Sequence, residues 1–206
     1  IYNFRELRIE LEAKGYCFRS KTDSEVVLNA LVEWGNEALN KFNGMFALAL
    51  WDRVERTLLL ARDRYGIKPL YIGHQGNTFA FGSEQKAILA IPGFQRNIDK
   101  QALLEYFTFQ NIFTDRTLLN DIQLLQAGHY ATLDLKRSNP ELHCTQYWDY
   151  NFCEPIKRVS YEEYREELDR LFTQAVNRQL VTDVELGSYL SGGIDSGAIS
   201  AIASKS

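Results

Sequence analysis

Gly44-Met45-Phe46-Ala47-Leu48-Ala49-Leu50-Trp51, then Asp52-Arg53-Val54-Glu55-Arg56, then Thr57-Leu58-Leu59-Leu60-Ala61, is the stretch on which the fold turns. Its first segment is apolar and free of helix caps, its middle is a charged break, and its last segment is apolar again. That pattern predicts a hairpin of buried strands. Downstream, Leu70 to Ile72 and Thr78 to Phe81 are further short strand candidates, with Gly73, Gly76 and Asn77 as turn residues between them. Gly128-His129-Tyr130-Ala131-Thr132-Leu133 and a last strand near Cys144 to Trp148 follow, separated by the turn-prone segment from Lys136 to Pro140. Helices flank this set, so the front of the chain reads as an α+β layer structure with antiparallel strands.

Those helices announce themselves by their starts. Asn3 and Glu6 have capping-box spacing, with Phe4, Leu7 and Leu11 on one side and Gly15 as a stop, predicting a helix over residues 4–14. Thr22 and Glu25 repeat the spacing ahead of Val26, Val27, Ala30, Leu31 and Trp34, which puts Asp23 in the first helical turn. Asp99 caps a helix carrying Ala102, Leu103, Tyr106 and Phe107. Composition changes over residues 151–160, read as a linker. Ser160 with Glu163 then opens a helix with Tyr161, Tyr164, Leu168, Leu171, Phe172, Ala175 and Val176 along one side.

That helix leads to a second informative stretch: Leu186-Gly187-Ser188-Tyr189-Leu190, Ser191-Gly192-Gly193-Ile194-Asp195-Ser196, and Gly197-Ala198-Ile199-Ser200-Ala201-Ile202-Ala203. The order is a short apolar run able to form a buried strand, a loop of glycines and hydroxyls, and a helix start. A strand feeding a helix through glycines is an anion site, because the first helical N–H groups have no internal partners and lie at the positive end of the dipole. Ser191 and Ser196 add hydroxyl donors, and the Asp195 carboxylate suits an ammonium, a hydroxyl or Mg2+. Neither the Walker A spacing nor the dinucleotide glycine pattern is met, which disfavours both commoner phosphate loops.

The chain has 206 residues, 45% hydrophobic and 24% charged, as suits one or two globular domains. With a net charge of -4 and scattered basic residues, nothing points to nucleic acid or an anionic membrane surface. No apolar run reaches the roughly 18 residues of a membrane span, and a cytoplasmic setting is the default expectation. Cys17, Cys144 and Cys153 are widely spaced and read as reduced structural thiols, while His74, His129 and His143 show no ligand spacing. Both ends look cut, since the chain opens on Ile1 at a helix start and stops at Ser206 just after the loop.

The loop resembles the pyrophosphate loop of ATP-pyrophosphatases. In order along the chain, Ile1-Tyr2-Asn3, Thr22-Asp23-Ser24-Glu25-Val26, Asn43-Gly44-Met45-Phe46-Ala47, the run from Ala61 to Tyr71, Phe81-Gly82-Ser83-Glu84-Gln85-Lys86-Ala87, Gly128-His129-Tyr130, Tyr147-Trp148 and Leu190 to Ser196 together resemble the asparagine synthetase B family. The resemblance implies an N-terminal-nucleophile sandwich, antiparallel sheets between helices, followed by the start of an α/β ATP-pyrophosphatase domain with a parallel sheet. The expected division is residues 1–150 as a class II glutamine amidotransferase domain lacking its N-terminal part, 151–160 as linker, and 161–206 as the start of the synthetase domain.

The implied chemistry is glutamine-dependent, ATP-consuming amide synthesis. Ammonia from glutamine would pass to a second site, where ATP and Mg2+ have turned aspartate into β-aspartyl-AMP, and asparagine would be the product. By resemblance, Asp23 binds the α-ammonium of glutamine. Leu190 makes a backbone contact to the nucleotide, Ser191, Gly192, Gly193, Asp195 and Ser196 surround its pyrophosphate, and Asp195 is the candidate Mg2+ contact. A homodimer is the expected assembly. The run from Arg62 to Tyr71 reads as a structural loop that ties strands together and lines the domain interface, with Arg62, Asp63 and Arg64 as a possible buried ion network. Glu84 and Lys86 read the same way. The family's nucleophile is a cysteine at the mature N-terminus, and none of Cys17, Cys144 or Cys153 lies at a chain start, so these 206 residues alone are expected to hydrolyse no glutamine. Gly197 stands where the family often has a second serine. Two other readings stay open: a cyclising ligase like the β-lactam synthetases with an inert glutaminase half, and a non-catalytic binding or regulatory protein with degenerate sites.

Overall fold

The structure, a computed structural model, describes residues 1–137, 140–153, 159–182 and 184–205. Its contacts divide the chain into two units, one of Ile1 with Leu31–Tyr150 and one of Tyr2–Ala30 with Asn151–Ser206.

In the first unit the expected hairpin forms from β1 (Ala47–Asp52) and β2 (Thr57–Arg62), with Ala47 opposite Arg62 and Asp52 opposite Thr57. The charged break folds because Asp52 Oδ1 accepts from the backbone N–H groups of Val54 at 2.8 Å and Glu55 at 2.9 Å, an Asx-type turn. β6 (His129–Asp134) pairs with β2, and β7 (Leu142–Gln146) with β6, giving a four-stranded antiparallel sheet in the order β1-β2-β6-β7. A second, three-stranded sheet has the order β4-β3-β5, from β3 (Tyr71–Gln75), β4 (Thr78–Gly82) and β5 (Ile122–Leu124).

The two sheets meet through one core. Leu60 and Ala131 of the larger sheet and Ile72 of the smaller pack with Leu70 and Leu125, all buried, and with the partly buried Phe79 and Leu142. The other face of the smaller sheet, Ala80 and Ile122, is covered by Ile88 of α4 (Gln85–Leu89) and by Phe94. Gly73, expected in a turn, lies inside β3 opposite Ala80. A Cβ there would come within 2.7 Å of Ile88 and 2.9 Å of Phe94, so its place in the strand is set by helix-to-sheet packing. Around the sheets lie α3 (Ala38–Lys41), after a single 3-10 turn, and α5 (Lys100–Phe109), which Asp99 caps by accepting from Gln101 and Ala102.

The second unit contains α1 (Phe4–Ala13), the start of α2 (Asp23–Trp34), α6 (Tyr161–Gln179) and α7 (Ile194–Ala203), with α6 packed on α7. The Ser160 and Glu163 box is complete, each side chain bonding the other's backbone N–H. At α1 the Asn3 side chain makes no capping bond, whereas Gly15, at φ 95°, ends the helix as expected. The run from Leu186 to Leu190, read as able to form a strand, is not one here, and no parallel sheet is seen among the described residues. A strand needs a hydrogen-bonded neighbour, none of the described strands pairs with this run, and Tyr189 is 98% exposed. Half of the expected linker, residues 154–158, lies outside the described residues, as do 138 and 139 in the expected turn before β7. Cys17, Cys144 and Cys153 are free and exposed, surface thiols rather than packed ones. Among the described residues no helix is long and apolar enough to cross a membrane.

Candidate functional site

Asp23 is the first residue of α2 and is half-buried. The residue that shapes its surroundings is Glu25. Its carboxylate accepts from the Arg19 N–H at 2.8 Å, the Ser20 N–H at 2.7 Å and the Ser20 hydroxyl at 2.6 Å. The expected capping partner, Thr22, instead gives its N–H to the Ser20 hydroxyl at 3.3 Å. From the opposite side Arg8, stacked over the Phe18 ring, donates to the Ser20 carbonyl at 2.8 Å. These bonds hold the Glu25 carboxyl below its usual range, with the Ser20 hydroxyl as the main cause.

The loop after β2 is built around two buried charges. Asp63, fully buried, accepts from four backbone N–H groups: Phe46 at 3.2 Å, Tyr65 at 3.1 Å, Ile67 at 3.0 Å and Lys68 at 3.0 Å. Arg62 donates to the carbonyls of Lys68, Leu125 and Gly66 at 2.8, 2.7 and 2.5 Å. Burial lowers the Arg62 pKa, against the attraction of Asp63. The Tyr147 hydroxyl donates to the Arg62 carbonyl at 2.8 Å, and Gly128 donates to the Asp63 carbonyl at 2.9 Å. Side chain thus serves backbone throughout, which is scaffold chemistry. Arg64 donates to the Asn40 carbonyl at 2.6 Å and lies over Trp148, whose ring also meets Tyr65 at a tilt and Tyr150 edge-on. Lys86 and Glu84 form an exposed ion pair at 2.5 Å, an arrangement that contributes little to stability.

In the glycine loop, Gly192 has φ 83° and Gly193 is the N-cap of α7, with Asp195 in the first turn. The Ser191 and Ser196 hydroxyls are 3.0 Å apart. Ser196 Oγ also donates to the Gly193 carbonyl at 3.1 Å and accepts from the Ser191 N–H at 3.3 Å. Ser188 and Ser200 join by their hydroxyls at 2.8 Å, tying the run before the loop to the helix after it. Every loop residue from Ser191 to Ile194 is exposed, as is Leu190, and a Cβ on Gly192 would meet nothing within 4 Å. The structure therefore brings Ser191, Gly193 and Ser196 into contact and leaves the helix N-terminus open to an anion. Asp23 belongs to a separate segment, α2.

Comparison with known proteins places these features. The family model described as "Glutamine amidotransferase domain" matches residues 1–148. The chain belongs to the glutamine amidotransferase family. The model described as "Asparagine synthase" matches residues 167–206. Asparagine synthetase [glutamine-hydrolyzing] 3 of Bacillus subtilis is 38% identical over 98% of this chain, and a putative asparagine synthetase [glutamine-hydrolyzing] of Mycobacterium bovis is 37% identical over 98%. The chain spans 32% of the length of each of these curated relatives. Among solved structures, the glutamine phosphoribosylpyrophosphate amidotransferase of B. subtilis matches with a TM-score of 0.50 and 17% identity, over 72% of this chain and 27% of that one. At that identity the likeness is one of fold, and it agrees with the expected N-terminal-nucleophile sandwich. What the sequence reading missed in this family setting is the reach of Glu25 to Arg19 and Ser20; the signal was its capping-box spacing, with the wrong partner assigned.

Proposed function

We propose that the protein carrying this chain makes an amide by delivering ammonia from glutamine to an ATP-activated carboxylate, with aspartate as acceptor and asparagine as product. The observation that carries the proposal is the succession of an amidotransferase match over residues 1–148 and an asparagine synthase match over 167–206 in one chain. Asp23, at the start of α2, takes the α-ammonium of glutamine, an opposite charge suited to a carboxylate. The open N-terminus of α7 fits a polyphosphate. Gly192 adopts a left-handed backbone without crowding, and the Ser191 and Ser196 hydroxyls converge beside it. Ser191, Gly192, Gly193 and Ser196 hold the pyrophosphate, with the Leu190 backbone against the nucleotide. Asp195, the acidic residue in the first turn of α7, is the carboxylate for Mg2+, an ion that takes most of its other ligands from phosphate and water. ATP supplies the leaving group that makes a carboxylate reactive toward ammonia.

The test is pyrophosphate release from Mg-ATP by the protein at its full natural length, with glutamine present, across a panel of carboxylates. Stimulation by aspartate, with asparagine formed, is the expected result. Preference for another carboxylate keeps the ATP chemistry and removes the assigned acceptor, and absence of release with every carboxylate overturns the proposal.

A further inference from the structure

We infer that Glu25 is a positioning residue for glutamine: by tying the Arg19 to Thr22 segment back against the start of α2, it fixes Asp23 where the α-ammonium binds. The inference rests on the reading of Asp23 given above. A simple N-terminal capping residue at this helical position bonds the N–H of the residue just before the helix, here Thr22. Glu25 passes over Thr22 and takes the N–H groups of Arg19 and Ser20 and the Ser20 hydroxyl, one oxygen on Arg19 and the other on Ser20. Thr22 is left to Ser20, whose hydroxyl lies 2.9 Å from the Thr22 hydroxyl as well as accepting its N–H. The result is a closed loop of side-chain and backbone bonds from residue 19 to residue 25, with Arg8 clamping its outer carbonyl.

Asp23 is the first helical residue inside that closed loop, and its direction depends on the backbone the loop fixes. Residues two apart on a helix do not face each other, so Glu25 can hold the loop without competing for the ligand of Asp23. A carboxylate is required at Glu25 because both oxygens accept. An amide offers one acceptor oxygen and puts an NH2 group against a backbone donor. A loop held only for stability would tolerate that loss without any selective effect on a ligand bearing an α-ammonium.

The experiment compares the full-length protein with its Glu25→Gln variant, using glutamine as substrate and glutaramate, which is glutamine without its α-amino group, as competitive inhibitor. The expected result is a rise of about tenfold in the glutamine KM, a change in kcat below about twofold, and a glutaramate inhibition constant that moves by less than about twofold. A glutamine KM that stays within about twofold overturns the inference, and so does a glutaramate constant that rises in step with it. If Glu25→Gln fails to fold, Ser20→Ala removes one of the three bonds to Glu25 and the two from the Ser20 hydroxyl to Thr22, and retains the two backbone bonds to Glu25; it should raise KM about threefold with the same selectivity, and a non-selective effect again overturns the inference. Unaltered protein that releases no ammonia from glutamine overturns the functional reading itself, a result distinct from an active enzyme indifferent to Glu25.

Discussion

Two loops of this chain carry charged or hydroxyl side chains between glycines, and they are opposites. In the loop after β2, Asp63 is fully buried and Arg62 nearly so, and their side chains are spent on backbone groups of the same unit: four N–H donors for Asp63, three carbonyls for Arg62. Where the glycine loop enters α7, Ser191 is exposed and Ser196 half-buried, their hydroxyls bond to each other, and they border a helix start whose N–H groups have no helical partner. A buried polar group must be satisfied by the fold, so it reports architecture; a cluster that the fold does not need reports a ligand. Motif density alone does not separate the two.

The sharpest way to break this contrast is Asp63→Ala. It removes a fully buried carboxylate and leaves four backbone N–H groups without their acceptor, and the expected loss is about 4 kcal/mol in urea unfolding. A loss below about 1 kcal/mol would mean that water replaces the carboxylate and that the loop is not scaffold. Next comes Gly128→Ala. Gly128 has φ 66°, and a Cβ would lie 2.6 Å from the Trp148 carbonyl oxygen, which cannot swing away as a side chain can. Left-handed strain and the backbone clash together predict a loss of roughly 3 kcal/mol by the same measurement.

Tyr147 gives the contrast a pH dependence. Burial pushes its phenol up to about 12, Arg64 opposing and Asp63 adding to the effect. The folded pKa thus exceeds the unfolded value of about 10, so the stabilisation is complete below pH ~10 and disappears as pH rises toward 12. Tyrosinate absorbance of the folded protein should show one group titrating last. Tyr147→Phe should remove that group, flatten the alkaline loss of stability, and cost about 1 kcal/mol at neutral pH through the lost bond to the Arg62 carbonyl.

The strands of the buried region were legible because alternation of apolar runs with charged breaks is a local signal. β1, β2, β4 and β6 all lie close to where the pattern puts them. β5 and α4 are three and five residues long and were not visible, since elements so short exist only through the neighbours that bury Ile122 and Ile88. Gly73 misled for the same reason: its small size answers to Ile88 and Phe94, which are distant in sequence. At Glu25 the spacing correctly announced a helix start, but a side chain of that length reaches several backbone donors and spacing cannot choose among them. The Leu186 to Leu190 run failed as a strand because apolar sequence supplies a face to bury and not the neighbour to pair with. The conformation of the glycine loop, by contrast, is a local matter, since it depends on Gly192, Ser191 and Ser196 themselves.

The smallest stability effects are expected in that loop, and they sharpen the comparison most. Gly192→Ala repeats the substitution made at Gly128, again at positive φ, but with nothing within 4 Å of the new Cβ. Only left-handed strain is left, so the loss should be about 1 kcal/mol, a third of that at Gly128. Ser196→Ala removes exposed hydrogen bonds and should change stability by less than about 0.5 kcal/mol. Its effect should appear instead in ATP-dependent pyrophosphate release, with kcat/KM for ATP falling about tenfold in the full-length protein, equivalent to about 1.4 kcal/mol of lost binding. A residue that costs nothing to the fold and a factor of ten to turnover is what a ligand-receiving loop predicts. If Ser196→Ala instead unfolds the protein as Asp63→Ala is expected to, then the hydroxyl pair is architecture, the two loops are alike, and the anion site must be sought elsewhere on the chain.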